Sequence, residues 1–306
     1  MQQGRTSPPS SSPTAQCPPT TDCLPLNGLG AAASGSEASR QLQKQEVNSH
    51  RLLTELSRMS SMLTFYLFYL LSLILGLACV GCVCVWNSRW RGGFDWDGSA
   101  LEFNWHPVLM VTGLVVLYGY GAVLYRIPLT WGQNKLPWKL LHAALMLLSL
   151  ILAIVGLCAV FDFHNTHKTS NMYSLHSWIG ITAVALFAMQ WVLGLAGFLL
   201  PCSPLTLRKL LKPVHVWLGC SILLLTVAAC ISGINEKLFF VLKANSSGAQ
   251  PYNNLPPEAV LANTLGALIV AFGLVVLNIL LNSNWQRPDS RPENMTYTPL
   301  LQEENE

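Results

Sequence analysis

Charged residues are scarce in this sequence. Only 11% of its 306 residues are Asp, Glu, Lys or Arg, whereas 51% are hydrophobic. Soluble domains are on average about 25% charged, so an ordinary soluble globular protein is excluded. The formal net charge is only +3, and it does not indicate a nucleic-acid partner.

Two familiar frameworks are also missing. There is no GxGxxG motif, which argues against a dinucleotide-binding domain. Six of the nine cysteines lie inside apolar runs and no paired set lies outside them, so the fold does not depend on disulfides. The CVGCVC run of Cys79, Cys82 and Cys84 is interpreted as small residues at helix contacts, in preference to a metal or acylation site.

Long apolar runs are abundant instead. A membrane-spanning helix needs about 20 mostly apolar residues, and six segments meet that requirement: residues 61–86, 105–125, 140–161, 175–200, 214–234 and 259–281. The sequence therefore predicts an all-α polytopic membrane protein with a six-helix transmembrane domain at residues 61–281. Residues 1–60, rich in Ser, Pro and Gln, are predicted to be a disordered extension, and residues 282–306 a polar tail.

The distribution of basic residues predicts the topology. Two short loops carry bases and no acids: Arg126, Lys135, Lys139, Arg208, Lys209 and Lys212. Because short basic loops stay in the cytosol, these loops and both termini are predicted to be cytosolic. Asn245 begins an Asn-Ser-Ser glycosylation sequon in the last outer loop, which agrees with this topology.

Four of the seven histidines lie within predicted spans, one on each of the second to fifth spans. Consecutive helices alternate in direction, and each of these histidines lies near the start of its helix. His106 and His176 are therefore predicted to share a level near the outer face, and His142 and His215 a level near the cytosolic face. The result is two imidazole pairs stacked across the membrane.

A pair of neutral imidazoles in a four-helix core fills both axial positions of a b-type haem. Such an iron has no open position, which leaves electron transfer as its chemistry. Two haems at different depths would form a transmembrane electron path, because a hydrocarbon layer of about 30 Å is too thick for one efficient jump. The alternatives are four unrelated polar contacts between helices, or a zinc or copper site, although histidine-only sites at two levels lack the further ligands that those ions usually recruit.

The one-histidine-per-helix pattern differs from that of other membrane haem proteins. Respiratory cytochrome b and the flavin-linked oxidase and ferric reductase families place two haem histidines on one helix. Since no flavin or nicotinamide domain is evident, the electron donor is predicted to be a small diffusible molecule that reaches the membrane face.

The motifs FNWHPVLMVTG, YRIP, KLLHAAL, NMYSLHSW, LKPVHVWLG and GINEKLFF resemble, in order and spacing, the cytochrome b561 family. The resemblance extends from about residue 85 to residue 290. It implies two haems b, ascorbate as electron donor, ferric iron as acceptor and a homodimer. The WRGGFDWDGSALEFNWHP stretch is most similar to the lysosomal branch of the family and next to its duodenal branch, whereas the extension before residue 60 departs from the family pattern.

Ascorbate is an anion at neutral pH, so its site should contain converging cations near the inner haem. The resemblance implies that Lys135, Lys139 and Arg208 bind ascorbate and that Arg126 contacts the inner haem. The same cations also satisfy the cytosolic bias of basic residues, and the two roles are compatible.

On the outer face, the resemblance implies that Asn171, Tyr173 and Ser174 contact the outer haem. Glu236 matches an acidic family position on the same side. From the residues alone, Glu236 could instead pair with Lys237 or cap the fifth span.

The FHNTH segment lies in the predicted second outer loop. The resemblance implies that His164 contacts ferric iron, whereas His167 matches no family role. Without the resemblance, an exposed loop histidine would be interpreted as simply solvated.

The tail sequence MTYTPLLQEENE contains a tyrosine-based sorting pattern from Tyr297 to Leu300, and a dileucine pattern overlaps it. This favours the late endosomal or lysosomal membrane. Two other functions remain open: an electron carrier that regenerates ascorbate inside a vesicle, and a non-catalytic membrane scaffold or transporter.

Overall fold

The computed structural model describes residues 29–243 and 250–288, which are helical and contain no strand. The helices are Leu29–Trp90, Ala100–Phe103, Trp105–Met110, Val111–Leu117, Tyr118–Val123, Leu124–Arg126, Pro128–Thr130, Lys135–Thr166, Leu175–Gly194, Leu195–Leu199, Leu205–Val241, Tyr252–Asn254, Pro257–Leu281 and Ser283–Trp285. Among the described residues, six stretches are long and apolar enough to cross a membrane: Arg40–Trp90, Ala100–Arg126, Lys135–Thr166, Leu175–Leu199, Leu205–Val241 and Pro257–Leu281. They are called here the first to sixth spans, and the predicted all-α, six-span fold is confirmed.

Part of the N-terminal extension differs from the prediction. The chain divides into two compact units, Met1–Leu56 and Ser57–Glu306. The described part of the first unit is helical: residues 29–60, for which the sequence predicts disorder, belong to the helix Leu29–Trp90. Helix propagation is far easier than nucleation, and the segment contains strong helix formers such as Ala, Gln, Arg and Leu. Side chains 40–60 are exposed, so the helix forms there without a core of its own.

Three sequence predictions fall outside the described residues. They concern residues 1–28 of the extension, the sequon at Asn245, and the sorting pattern that begins at Tyr297. They stay predictions.

The second span is the most buried of the six. It packs against the third, fifth and sixth spans, while the fourth span packs along the fifth. Val115, Phe187, Ile222 and Phe272 are 0–1% exposed at the centre of this arrangement. The second, fourth, fifth and sixth spans therefore all contribute side chains to the centre of the core.

Two of the spans contain π-helical turns, at Val111–Leu117 and Leu195–Leu199. Such turns widen the helix locally and re-aim the side chains on either side of them. Beside the first of them, the Ser149 hydroxyl donates to the Gly113 carbonyl at 2.7 Å, which joins the second span to the third.

Several helices extend beyond the predicted apolar runs. The third span begins at Lys135 and ends at Thr166, and the fifth begins at Leu205. His164 and Arg208 therefore lie on helices, although the sequence placed them in loops. Hydropathy marks only the part of a helix that lies in the hydrocarbon layer, whereas the helical hydrogen bonds continue beyond it. The third span, for example, begins where the side chain of Asn134 accepts a hydrogen bond from the Leu136 amide at 3.1 Å.

A buried carboxylate joins the first span to the sixth at the face predicted to be the outer one. Glu258 is 4% exposed. Its Oε1 accepts from Trp86 Nε1 at 2.8 Å, and its Oε2 accepts from Arg91 Nη2 at 2.5 Å. This network fixes one wall of the cavity described below.

Candidate functional site

The four intramembrane histidines lie in two pairs. The ring centres of His106 and His176 are 6.0 Å apart, and those of His142 and His215 are 6.3 Å apart. The rings within each pair are steeply inclined, at 87° and 68°. These are the pairs that the alternating helix directions predict, although their role as haem ligands stays a prediction.

Hydrogen bonds fix the rings of three of these histidines. The Nδ1 atom of His106 contacts the Gly156 carbonyl at 3.0 Å, that of His142 the Gly121 carbonyl at 2.8 Å, and that of His176 the Ala229 carbonyl at 2.8 Å. A carbonyl only accepts, so Nδ1 carries the proton and Nε2 keeps a free lone pair. A backbone hydrogen bond of this kind is the usual support of a metal-bound histidine.

Glycines make room for two of the rings. A Cβ atom on Gly233 would lie 2.7 Å from His176 Cε1, which is closer than atoms can approach without displacement. A Cβ atom on Gly194 would lie 3.2 Å from His215 Cε1. The fourth and fifth spans thus approach one another where each presents its histidine.

Each pair has the spacing required for two axial ligands of one iron. When two imidazoles bind one metal ion from opposite sides, each metal–nitrogen bond is about 2.0 Å long, and each ring centre lies about 1 Å beyond its nitrogen. The two ring centres are then about 6 Å apart. Among the described residues, no cluster of three or more His, Cys, Asp or Glu could hold a bare metal ion. The residues present therefore fit a bis-imidazole haem.

A cavity of about 450 Å³ contains the outer pair. This volume lies within the range of about 300–1,000 Å³ typical of cofactor sites. Its walls are mainly apolar, and His106 and His176 line it together with Met110, Leu114 and Val184. The outer pair thus has the surroundings that a large, mostly apolar ring requires.

Buried polar side chains lie between the two histidine levels. Gln190 is 8% exposed, and its Nε2 donates to the His215 carbonyl at 2.8 Å. Tyr118 is 3% exposed, and its hydroxyl donates to the Gly219 carbonyl at 2.8 Å. Both bonds hold the fifth span near His215. The sequence carried a signal for Gln190, since an amide within an apolar span requires a partner, but the partner could not be deduced.

Three residues predicted for the outer site contribute in different ways. Tyr173 and Glu236 line the cavity, and the Tyr173 hydroxyl donates to Glu236 Oε1 at 3.3 Å. Burial, followed by the Glu236 carboxylate, raises the pKa of Tyr173, so its hydroxyl stays a donor. Ser174 instead caps the fourth span, where its hydroxyl oxygen accepts from the Ser177 amide at 3.3 Å.

His164 also lines the cavity, from the last turn of the third span. Its Nδ1 donates to Asn171 Oδ1 at 3.1 Å, and Asn171 Nδ2 donates to Asn165 Oδ1 at 2.9 Å. Asn171 therefore fixes the orientation of this imidazole and leaves Nε2 available. The neighbouring His167 instead bonds the Phe163 carbonyl at 3.0 Å.

On the side predicted to be cytosolic, two predicted ascorbate residues converge at the end of the fourth span. Lys139 Nζ donates to the Phe198 carbonyl at 3.3 Å, and Arg208 Nη2 donates to the Leu200 carbonyl at 3.1 Å. Lys135 begins the third span one helical turn before Lys139. The Phe198 ring also lies 5.2 Å from His215, so these cations are next to the inner pair.

Arg126 has a structural role that the sequence did not reveal. Its guanidinium donates to the carbonyls of Leu280 and, at 3.2 Å, Asn282. A basic side chain at the last carbonyls of a helix satisfies acceptors that have no partner within the helix. Arg126 thus caps the sixth span, and its predicted contact with the inner haem stays a prediction.

Two cations line the outer cavity, Arg91 and Lys237. The sequence assigned no role to Arg91 and considered Lys237 only as a possible ion-pair partner of Glu236, a pair that is absent from the described residues. Lys237 Nζ lies 3.9 Å from the centre of the Phe103 ring. The available signal was a lysine at the end of an apolar span, but the facing aromatic ring lies on another helix, far away in sequence.

Comparisons with known proteins agree with this geometry. The family model for eukaryotic cytochrome b561 matches residues 105–241, which include all four paired histidines. The chain is 64% identical to a lysosomal membrane ascorbate-dependent ferrireductase of Danio rerio over 228 residues, which cover 74% of this chain and 92% of the relative. It is 59% identical to the Homo sapiens protein of the same name over 215 residues, 70% of this chain and 88% of the relative. A plasma membrane ascorbate-dependent reductase of Xenopus laevis is 49% identical over 217 residues, 71% of this chain and 75% of the relative. The chain belongs to the eukaryotic cytochrome b561 family.

Proposed function

We propose that the protein is a transmembrane ascorbate-dependent ferric reductase. Electrons pass from cytosolic ascorbate, through two haems b, to Fe³⁺ on the lumenal side. The observation that carries this proposal is the presence of two imidazole pairs, in which the two ring centres lie 6.0 Å apart in one pair and 6.3 Å apart in the other. The names of the relatives, which include ferrireductases dependent on ascorbate, support the choice of donor and acceptor.

In this proposal His106 and His176 hold the outer haem, and His142 and His215 hold the inner one. Haem b, once bound by two histidines, supplies reversible one-electron chemistry at iron. The chain itself fixes the imidazole tautomers through backbone carbonyls. It also encloses the outer pair in an apolar cavity, which restricts water and therefore side reactions.

Ascorbate binding is assigned to Lys135, Lys139 and Arg208. The last two cations meet at the Phe198–Leu200 carbonyls, next to the inner histidine pair. A compact group of cations favours an anion by charge-assisted hydrogen bonds. It also raises the local concentration of anions at this face.

The acceptor site is assigned to His164. Its Nδ1 is engaged by Asn171, so Nε2 is the atom available to ferric iron. The His164 ring also lies 5.9 Å from the Phe163 ring, which contacts Phe103 at 5.2 Å beside His106. The proposed iron site is therefore next to the outer pair.

The experiment that tests the function uses purified protein in vesicles loaded with ascorbate. Protein oriented with its cytosolic face inward should form ferrous iron outside, measured with a membrane-impermeant ferrous chelator. Empty vesicles and vesicles without ascorbate are the controls. Protein that reduces the external ascorbate radical but not ferric iron would contradict the proposal and favour ascorbate regeneration, whereas protein without haem absorption would favour a scaffold or transporter.

Location, topology and assembly are part of the same proposal. Both termini are cytosolic, the membrane is that of the late endosome or lysosome, and the protein is a homodimer. The basic residues between the second and third spans support the orientation, and the names of the lysosomal relatives support the membrane. Tags at both termini should bind antibody in cells in which only the plasma membrane is permeabilised, which tests the topology. The mass of the purified particle tests the dimer.

A further inference from the structure

Lys237 is a cation in the outer cavity with no ion pair among the described residues. The salt bridge found there joins Arg91 to Glu258. Lys237 Nζ instead lies over the Phe103 ring, 3.9 Å from its centre. A partly buried ammonium that lacks an anionic partner is costly, which indicates that an anion from outside the chain accompanies it.

The nearby carboxylates are already engaged. Both oxygens of Glu258 accept hydrogen bonds, one from Trp86 and one from Arg91. Glu236 is adjacent to Lys237 in the helix, where consecutive side chains do not face each other, and it accepts from Tyr173. The carboxylates of the described residues thus leave the Lys237 ammonium at the cavity wall without an ion pair.

Arg91 adds a second cation to the same cavity. One of its terminal nitrogens is held by Glu258 at 2.5 Å, and its Nε is buried without a partner. The ion pair with Glu258 thus holds the Arg91 guanidinium in place, while its Nε–H group makes no hydrogen bond. A fixed guanidinium and a nearby ammonium are suited to a carboxylate, which accepts several charge-assisted hydrogen bonds.

We propose that Lys237 and Arg91 form a carboxylate-binding site in the outer cavity. Two carboxylates are within the chemistry of this protein: a propionate of the outer haem, and the organic acid of a ferric complex such as ferric citrate. The Phe103 ring, which Lys237 contacts, lies 6.1 Å from the His106 ring and 5.2 Å from the Phe163 ring, and Phe163 in turn lies 5.9 Å from His164. Lys237 is therefore close to both the outer histidine pair and the proposed iron ligand, so either source can reach the site. The second source rests on the proposed ferric reductase function, whereas the first requires only haem binding.

The test compares Lys237→Gln with Lys243→Gln in the haem-loaded protein. Lys243 is a matched control because it has the same charge and a similar aromatic contact, 5.5 Å from the Phe240 ring, yet it does not line the cavity. Three quantities are measured: the KM for ferric citrate, the KM for the cationic acceptor hexaammineruthenium(III), and the rate at which haem is lost to apomyoglobin.

If the carboxylate belongs to the ferric complex, Lys237→Gln should raise the KM for ferric citrate about tenfold, the loss expected for one charge-assisted contact. The KM for the ruthenium cation and the rate of haem loss should stay unchanged. If the carboxylate is a propionate, haem loss should accelerate about tenfold, while both KM values stay within twofold of the wild type. Lys237→Arg keeps the charge and should restore whichever quantity moved.

The carboxylate site is overturned if Lys237→Gln changes none of the three quantities more than Lys243→Gln does. It is also overturned if Lys237→Arg is as defective as Lys237→Gln, because the role would then be packing rather than charge. A wild-type protein that binds haem but does not reduce ferric citrate would refute the proposed function alone. The haem-loss arm would still decide whether a carboxylate occupies the site.

Discussion

The rings of His106 and His176 lie 6.0 Å apart and nearly perpendicular to each other, although 70 positions separate them in the sequence. Each ring is fixed by a different helix, since His106 bonds to Gly156 of the third span and His176 to Ala229 of the fifth. All four histidine-bearing spans therefore contribute to the outer pair. This explains why the geometry of one pair depends on the packing of the whole core.

The paired arrangement predicts how haem is lost from variants. Purified protein should contain two haems b per chain, both low-spin, as counted by the pyridine haemochrome spectrum. Replacing His106 or His176 by Ala should remove the outer haem, and replacing His142 or His215 should remove the inner one. If His106 and His142 proved to be ligands of the same haem, the assignment by depth would be wrong.

A second prediction concerns the space beside His176. In Gly233→Ala the new methyl group would lie 2.7 Å from His176 Cε1, so the ring or the fifth span must move. The outer haem should be lost or its absorption altered, while the inner haem is retained. Gly81→Ala is the matched control, because a Cβ atom there has no neighbour within 4 Å. A normal spectrum for Gly233→Ala would contradict the tight packing at this site.

Much of the fold was predictable because the membrane imposes simple rules. Apolar length identified six spans, and alternating direction brought His106 to the level of His176. The π-helical turn at Val111–Leu117 was not predictable, since it depends on packing between helices. The same holds for Arg126, whose acceptors at the end of the sixth span are more than 150 positions away in the sequence.

The outer site was predicted less completely. Family resemblance indicated His164 and Asn171, but not that Asn171 acts through a hydrogen bond to the imidazole. The sequence suggested Lys237 only as a partner of Glu236, because its position in the cavity depends on Glu258 being occupied by Arg91 and Trp86. A pattern in one segment cannot show which partners from other helices are already engaged.

The cations of the proposed ascorbate site predict a specific defect in electron entry. Lys139→Ala should slow reduction by ascorbate about tenfold or more, because one charge-assisted contact contributes about 1.5–3 kcal/mol. Reduction by dithionite, followed through haem absorption in stopped flow, should stay unchanged. Lys209→Ala removes a charge on the same face and should have a much smaller effect. Equal slowing with both reductants would indicate a damaged haem pocket instead of a lost ascorbate contact.

The tail predicts a defect in sorting. Tyr297→Ala should shift the protein from lysosomes toward the cell surface if the Tyr-Thr-Pro-Leu signal is read, because such signals require the tyrosine ring. Surface biotinylation and lysosomal co-localisation measure the shift. The neighbouring Thr298→Ala change, within the signal but at a variable position, is the control. An unchanged distribution of Tyr297→Ala would remove the sorting role.

The last prediction separates the ferric ligand from its support. His164→Ala should abolish most ferric reduction, because it removes the proposed ligand atom Nε2. Asn171→Leu keeps that atom but deletes the acceptor that holds Nδ1 at 3.1 Å, and the loss of such a support typically costs about 10–100-fold in affinity or activity. Asn171→Leu should therefore be defective with ferric iron while its haem spectrum stays normal. His167→Ala is the control, since that ring bonds to the Phe163 carbonyl and has no predicted role. Ferric reduction by protein previously reduced with ascorbate measures all three variants. An equal loss in His167→Ala and His164→Ala would show that the end of the third span, not one imidazole, matters.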